Sequence, residues 1–332
     1  MSSHIGIDIG ARSVEVVVRR NGGHTPAKTF QQTPQGHEAL VGYVQSHHPQ
    51  RVVLEATGVY YLDVAVALAD AGLPVAVINP KSFHHFAALK LNATKTDAVD
   101  AALLAEFAER MQPALWAPPN DKRLQLRDIA RQINRLIGAR TQAKNRLHAL
   151  QAKRATPRLL IDDEQQGVTA LEQRIERLRT AAEELIDAAD PALARHMQHL
   201  SAAKGIGTAS ALALLGELCV LPQHLKAPQV SRHAGLDVRL CQSGTSVQRP
   251  ARLSKAGNAY LRAALYMPAM AAIRHDPNAR AFYNALLARG KKKIQAICAV
   301  MRKYLTGLWA CMKTDQPFDS AKLFGPQHHQ KT

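Results

Sequence analysis

Apolar and polar positions in the first eighty residues predict short strands separated by helices. Strand patterns occupy residues 4–10, 13–20, 51–58 and 74–80, and only Ala11 and Arg12 separate the first two, which predicts a hairpin. Apolar residues at helical spacing cover residues 35–48 and 61–71, and Gly72 ends the second of these helices. Strands that alternate with helices in this way predict a mixed α/β sheet.

The rest of the chain has a different pattern, in which helix dominates. A proline-rich stretch over residues 112–120 is typical of a linker. Apolar residues then recur at steps of three and four over residues 126–150 and 168–185, and Pro157 interrupts them. This predicts two long antiparallel helices that pack on one another or on a partner subunit. We therefore expect an α/β domain over residues 1–118, a basic helical coiled-coil arm over 119–192 and a mainly α-helical domain over 193–325.

The charge balance indicates a polyanionic partner. Lys and Arg exceed Asp and Glu by 43 to 26, which gives a formal charge of +17 and a pI near 10.0. Nucleic acid is the first expectation for such a surplus. No apolar run reaches the roughly 18–20 residues of a membrane-spanning helix, and the first residues lead into a strand and not into a signal peptide. We expect a cytoplasmic protein without a membrane partner.

Four acidic residues fall at positions that favour a metal site. Asp8 interrupts an apolar strand, Glu55 ends a later strand, and Asp97 and Asp100 lie three residues apart at the start of a predicted helix, with Thr94 as its expected N-cap. Each acid alone fits a sheet edge or a helix cap. Together they predict a site for two divalent cations, because carboxylates held close repel one another without a cation between them.

Basic residues predict surfaces for phosphate. Arginines recur at every fourth position of the first arm helix with few acids four residues away, which favours a phosphate-binding face over a solvated one. Lys204 precedes Gly205-Ile206-Gly207, which fits either a phosphate-binding hairpin or a simple interhelical turn. The expected nucleic-acid-binding residues are Arg123, Arg127, Arg131, Arg135, Lys204, Arg252, Lys255 and Arg262.

A serine with little steric cover lies within the basic C-terminal segment. Ser243 precedes Gly244, and Ser246 follows two residues later. A serine before glycine suits a nucleophile that must reach phosphorus. Ser-Gly is also common in ordinary turns, so the sequence alone leaves both interpretations open.

The acids in this order resemble the DEDD set of ribonuclease H-like, RuvC-like nucleases. Residues 6–10 also resemble the phosphate loop of actin-like ATPases, but the second Asp-x-Gly loop of that class is missing. With the helical arm, Ser243-Gly244 and the segment Ser254-Lys255-Ala256-Gly257-Asn258, the whole chain resembles insertion-sequence transposases of the DEDD-plus-serine type, also called bridge-RNA-guided recombinases.

That resemblance implies a fold, a reaction and partners. It implies a RuvC-like first domain, Mg²⁺ on Asp8, Glu55, Asp97 and Asp100, and a catalytic serine at Ser243, with Ser246 as the second candidate. The implied partners are donor and target DNA, a noncoding guide RNA and further copies of the chain, as a homodimer or homotetramer with a composite site. Two other functions fit the residues: a metal-dependent nuclease or junction resolvase without a serine nucleophile, and a non-catalytic nucleic-acid-binding architectural protein.

Overall fold

The computed structural model of the chain describes residues 2–56, 58, 60–90, 96–243 and 247–325, and for residues 189, 241, 243 and 247–250 it describes the backbone alone. The chain divides into two units, Met1–Pro118 and Pro119–Thr332. None of the helices in these described ranges is apolar over a length that would cross a membrane.

The first unit is built on a mixed sheet. Its elements are β1 (Ser3–Ile9), β2 (Ser13–Arg20), β3 (Gly23–His24), β4 (Lys28–Gln31), α1 (Pro34–Ser46), β5 (Pro49–Glu55), α2 (Tyr61–Asp70), β6 (Val75–Ile78), α3 (Pro80–Leu89) and α4 (Asp97–Met111). The strand order is β3-β2-β1-β5-β6, and β4 pairs with β2. Strands β1 and β2 form the predicted antiparallel hairpin, whereas β1, β5 and β6 are parallel. This arrangement agrees with the predicted ribonuclease H-like, RuvC-like fold.

The two faces of this sheet bury different residues. On one face Ile5, Ile7 and Ile9 pack with residues of α1 and α2, among them Leu40 and Val64. On the other face Val53 and Ala76 pack with α4. The alternation along β1 places Gly6 and Asp8 on the α4 side, because successive strand residues point to opposite faces.

Gly6 is a point of very close approach between β1 and α4. A Cβ atom at Gly6 would overlap the Ala101 carbonyl oxygen and the Ala105 amide nitrogen of α4. Ala101 and Ala105 are themselves fully buried and small. The helix backbone therefore lies directly on the strand, and α4 begins beside the carboxyl end of β1.

The second unit is mainly helical, as predicted. Its elements are α5 (Asp121–Ala152), α6 (Arg158–Ala189), α7 (Pro191–Ser201), α8 (Thr208–Leu218), α9 (Ala227–His233), β7 (Val238–Ser243), β8 (Val247–Leu253), α10 (Ala259–His275), α11 (Pro277–Ala288), α12 (Lys293–Thr314) and α13 (Ser320–Phe324). The core of the unit includes the large buried side chains of Trp309, Tyr304 and Phe282.

The predicted arm is present as α5 and α6. Their cross-helix ion pairs, Arg146 with Glu164 at 2.7 Å and Lys144 with Glu172 at 2.7 Å, run in opposite sequence directions, which makes the two helices antiparallel. Much of the predicted apolar seam is buried between them, with Ile133 and Ile175 as examples. The arm belongs to the same unit as the C-terminal helices, because α5 also packs on α8.

A two-stranded hairpin, β7 and β8, was not expected from the sequence. The two strands are antiparallel and pair from Val238 with Leu253 to Ser243 with Val247. The alternation of Val and Leu with Arg and Gln in this segment is short and weak, so the sequence gives little indication of the two strands.

The contact of Gly6 with α4 gives a stability prediction. Gly6→Ala should destabilise the first unit by about 3 kcal/mol or more, since its methyl group would displace helix backbone. Gly42→Ala is the matched control, because nothing lies within 4 Å of a Cβ at Gly42 in α1. That change should stabilise the unit by about 0.5–1 kcal/mol. Denaturant unfolding of the full chain measures both, and equal effects of the two substitutions would contradict the packing described.

Candidate active site

Asp8 and Glu55 lie at the carboxyl ends of two adjacent parallel strands. Ile7 of β1 pairs with Leu54 of β5, so Asp8 and Glu55 follow at neighbouring positions in the same direction. Both acids are half-buried. The carboxyl ends of parallel strands are where open α/β sheets commonly place their sites.

Asp97 and Asp100 occupy the first turn of α4. The helix is capped by Thr96, whose hydroxyl oxygen accepts a hydrogen bond from the Val99 amide at 3.3 Å. The prediction of Thr94 as the cap was therefore wrong, and Thr94 itself lies outside the described residues. Asp97 is one helical turn before Ala101, which contacts Gly6, so the docking of α4 brings its acidic first turn toward Asp8.

The four carboxylates influence one another electrostatically. The pKa of Asp8 is raised from 3.8 to about 6, mainly by burial and then by the negative charges of Asp100, Asp97 and Glu55 in that order. Asp8 therefore responds to all three of the other predicted acids. A divalent cation would remove this repulsion, so the charge arrangement fits such a ligand.

The carboxylates are not already arranged as a ligand cage. Among the described residues, no three His, Cys, Asp or Glu side chains are gathered as a metal site would require. The acids are coupled through charge, and a cation would have to draw their oxygens inward to coordinate them at about 2.0–2.6 Å.

The arginine row of α5 differs from the expectation. Glu217 of α8, only 3% exposed, accepts hydrogen bonds from Arg131 at 2.5 and 2.9 Å. Arg123 forms an ion pair with Asp190 at 2.9 Å. Arg127 contacts the neighbouring Asp128 at 3.2 Å. The row has few acids four residues away, but it is not left unneutralised: Arg123 and Arg131 pair with acids of other elements, and Arg127 pairs with the adjacent acid of α5.

Arg131 has a structural role in the second unit. The Arg131 guanidinium lies 4.7 Å from the centre of the Tyr260 ring, and Glu217 also accepts a hydrogen bond from the Asn258 amide at 2.5 Å. Arg135 reaches the Tyr260 hydroxyl at 3.3 Å. The Arg131–Glu217 pair thus connects α5 and α8 to the start of α10, where Asn258 is the helix cap.

The other predicted basic residues separate into two groups. Arg262 donates to the backbone carbonyls of Ala234 at 2.9 Å and of Gly257 and Asn258 at 3.4 Å, so its guanidinium stabilises the turn before α10. The exposed residues are Lys204, in the turn between α7 and α8, and Arg252 and Lys255, at the end of the β7–β8 hairpin and just after it.

Ser243 is the last residue of β7. Its backbone pairs with Val247 across the hairpin. Ser246, the second candidate, lies outside the described residues. Sequence reasoning missed Arg239, which lies on the same strand opposite Arg252. The signal that could have identified Arg239 is the alternation of residues 238–243, which puts positions 239 and 243 on one strand face.

Two family models match this chain. The DEDD_Tnp_IS110 model, described as a transposase, matches residues 5–157, and the model of the transposase IS116/IS110/IS902 family matches residues 197–284. The chain belongs to the IS110 family of transposases. As an IS110-family protein it is a DNA-modifying enzyme of the transposase and recombinase class, which confirms the predicted family.

Curated relatives agree with this assignment. The chain is 28% identical to a "Pilin gene-inverting protein" of Moraxella bovis over 326 residues, which are 96% of this chain and 98% of that one. It is also 28% identical, over 121 residues, to the "Insertion element IS110 uncharacterized 43.6 kDa protein" of Streptomyces coelicolor, covering 36% of this chain and 30% of that protein.

Among solved structures, the IS110-family chain is similar to Thermus thermophilus RuvC in complex with a Holliday junction substrate. The identity is 19% and the TM-score 0.28, over 35% of this chain and 99% of RuvC. Values this low carry no argument about function, so the fold assignment depends on the strand order and directions described above.

The raised pKa of Asp8 gives a pH-dependent prediction. Between about pH 4 and 6 the folded protein retains a proton that the unfolded chain loses, so stability should fall as pH rises through that window. Asp8→Asn removes the free-energy cost of ionising this buried carboxyl group. In EDTA it should stabilise the first unit by about 1–3 kcal/mol at pH 8, allowing for solvent screening, and by almost nothing at pH 4.

Thermal and denaturant unfolding at the two pH values measures this difference. Asp70→Asn, at an exposed aspartate at the end of α2, is the matched control and should show no such pH dependence. An Asp8→Asn effect of equal size at both pH values would contradict the electrostatic coupling.

Proposed function

We propose that this IS110-family transposase breaks and rejoins DNA strands through a phosphoserine link at Ser243, with divalent cations held by Asp8, Glu55, Asp97 and Asp100. The observation that supports the proposal most is the coupling of Asp8 to the other three acids, which burial makes costly without a cation. When bound, Mg²⁺ at these carboxylates would supply Lewis-acid stabilisation of charge on the phosphate that reacts.

The serine step conserves the energy of the phosphodiester. The Ser243 hydroxyl oxygen attacks phosphorus, the bond from phosphorus to the leaving sugar oxygen breaks, and the hydroxyl proton ends on that sugar oxygen. Attack by a sugar hydroxyl on the phosphoserine then reverses the sequence and frees the serine. A strand can therefore be joined to a new partner without ATP.

Rejoining distinguishes this proposal from simple cleavage. The relative from Moraxella bovis is named for inverting a pilin gene, and inversion of a segment requires that every cut end be joined again. That relative aligns with 96% of the present chain, so the segment from Glu55 to Ser243 falls within the aligned length. The name supports a recombinase over a nuclease or junction resolvase that uses water.

The proposal includes a noncoding guide RNA and self-association. The formal charge of +17 suits a protein that binds both RNA and DNA through their backbones. In such a complex, base pairing between the RNA and both DNA sites would select the sequences, while the protein binds shape and phosphate. Two or more copies of the chain would serve the two DNA sites.

A covalent-adduct experiment tests the serine. Wild-type protein, RNA transcribed from its own element, Mg²⁺ and labelled DNA should give a protein–DNA adduct that survives denaturation. Ser243→Ala should abolish the adduct, whereas Ser201→Ala, at an exposed serine at the end of α7, should leave it unchanged. Cleavage without any adduct would favour the nuclease, and binding without cleavage would favour the architectural protein.

The acids require their own test. Asp97→Asn and Asp100→Asn should each reduce adduct formation by about a hundredfold or more, because the charge that stabilises the transition state is lost. The decrease is measured as the initial rate of adduct formation, with circular dichroism as the control for folding. Recombination that persists at the wild-type rate in both variants would refute the metal site.

A further inference from the structure

Two arginines face each other across the β7–β8 hairpin. Arg239 of β7 pairs directly with Arg252 of β8. Both are exposed, and among the described residues neither forms an ion pair or a side-chain hydrogen bond. No Asp or Glu occurs in the sequence between Asp237 and Asp276, so no acid of the hairpin or of α10 can neutralise them.

This arrangement is unfavourable for the protein alone. Like charges directly opposite one another destabilise an antiparallel pair. Burial does not offset that cost, because Val238 and Leu240, on either side of Arg239, are 51% and 70% exposed. Two hydrogen bonds close the open end of the hairpin. The Ser254 hydroxyl donates to the Asp237 carboxylate, and the Ser254 amide donates to the Asp237 carbonyl at 2.9 Å.

An anion bound between the two arginines would replace their repulsion with attraction. Two guanidinium groups can donate several parallel N–H bonds to the oxygens of one phosphate, and such charge-assisted bonds are strong. The arginine pair of the free protein then becomes a phosphate site. Its position on the hairpin that carries Ser243 indicates which phosphate that is.

Arg239 and Ser243 occupy the same strand four residues apart. Four residues of strand span about 13 Å. The pairing shifts register between Arg239 and Cys241, and the extra residue lies on β8, so the even spacing along β7 still puts both positions on one face of that strand. A nucleic acid strand that lies along this face would place one phosphate at Ser243 and another, a few nucleotides away, between the arginines. The reacting phosphate would thereby be held in register with the serine.

We propose that Arg239 and Arg252 together bind one backbone phosphate of the DNA strand that Ser243 attacks, and that they act as positioning residues for that attack. The inference rests on the serine chemistry proposed above. It assigns the serine-bearing hairpin to DNA and not to the guide RNA, because DNA is the strand that is cut and joined.

The experiment combines adduct formation with DNA binding. Arg239→Gln and Arg252→Gln should each lower the adduct rate by about tenfold or more, and the double variant should lower it little further, because both arginines hold the same phosphate. Arg239→Lys should recover part of the rate, since it restores charge but not the guanidinium geometry. Arg302→Gln, at an exposed arginine of α12, is the matched control and should have no effect.

Binding and stability readouts separate a positioning role from a structural one. Measured in a Ser243→Ala background, the double arginine variant should reduce the salt slope of duplex DNA binding by about one, the value for a single phosphate. In free protein each single variant should leave the melting temperature unchanged or raise it, because a like-charge pair has been removed.

Each contrary outcome has a specific meaning. A lowered melting temperature with unchanged DNA binding, or a loss confined to binding of the RNA transcript, would overturn the arginine proposal. Independent, multiplicative losses in the two single variants would overturn the shared phosphate. Absence of any wild-type adduct would refute the serine chemistry itself, while the binding measurements would still decide whether the arginines hold a DNA phosphate.

Discussion

The backbone contact between Gly6 of β1 and α4 is the constraint on which the candidate metal site depends. No side chain fits at Gly6, because a Cβ there would overlap backbone atoms of Ala101 and Ala105. Glycine weakens a strand interior, so its use here has a structural reason. With the helix seated on the strand, Asp97 and Asp100 of the first turn come toward Asp8 two residues beyond the glycine. Loss of that contact would displace both Asp97 and Asp100 relative to Asp8.

The acidic residues of the first unit and the basic residues of the second unit have different roles. In the first unit, three other acids lie within electrostatic reach of Asp8, and the burial of Asp8 makes this repulsion costly. In the second unit, Arg123 and Arg131 of the α5 row form ion pairs within the unit. The pair of Arg131 with Glu217 is more buried than the pair of Arg123 with Asp190. The basic residues left exposed around the β7–β8 hairpin are therefore better candidates for nucleic acid than the row that the sequence first suggested.

The sequence predicted the sheet and the acids better than the basic surfaces, for physical reasons. Alternation and short apolar runs define β1, β2 and β5 locally, so Asp8 and Glu55 could be placed on strands without tertiary information. Thr94 and Thr96 both precede an acidic helical turn, and the choice between them depends on backbone conformation, which composition does not fix. The partners of Arg123 and Arg131 come from Asp190 and Glu217, far along the chain, so spacing within α5 could not reveal them. The described side chains of the β7–β8 hairpin are mostly exposed and their pattern is weak, so the alternation gives little signal.

The proposed divalent-cation site consists of acids on β1, β5 and the first turn of α4, and it serves DNA strand transfer. Anomalous diffraction from crystals soaked in Mn²⁺, a substitute for Mg²⁺ with a measurable anomalous signal, tests it most directly. We expect an anomalous peak about 2.0–2.3 Å from a carboxylate oxygen of Asp8 and of at least one of Glu55, Asp97 and Asp100. Ordered carboxylates with no peak among them, at Mn²⁺ concentrations that support the reaction, would contradict it.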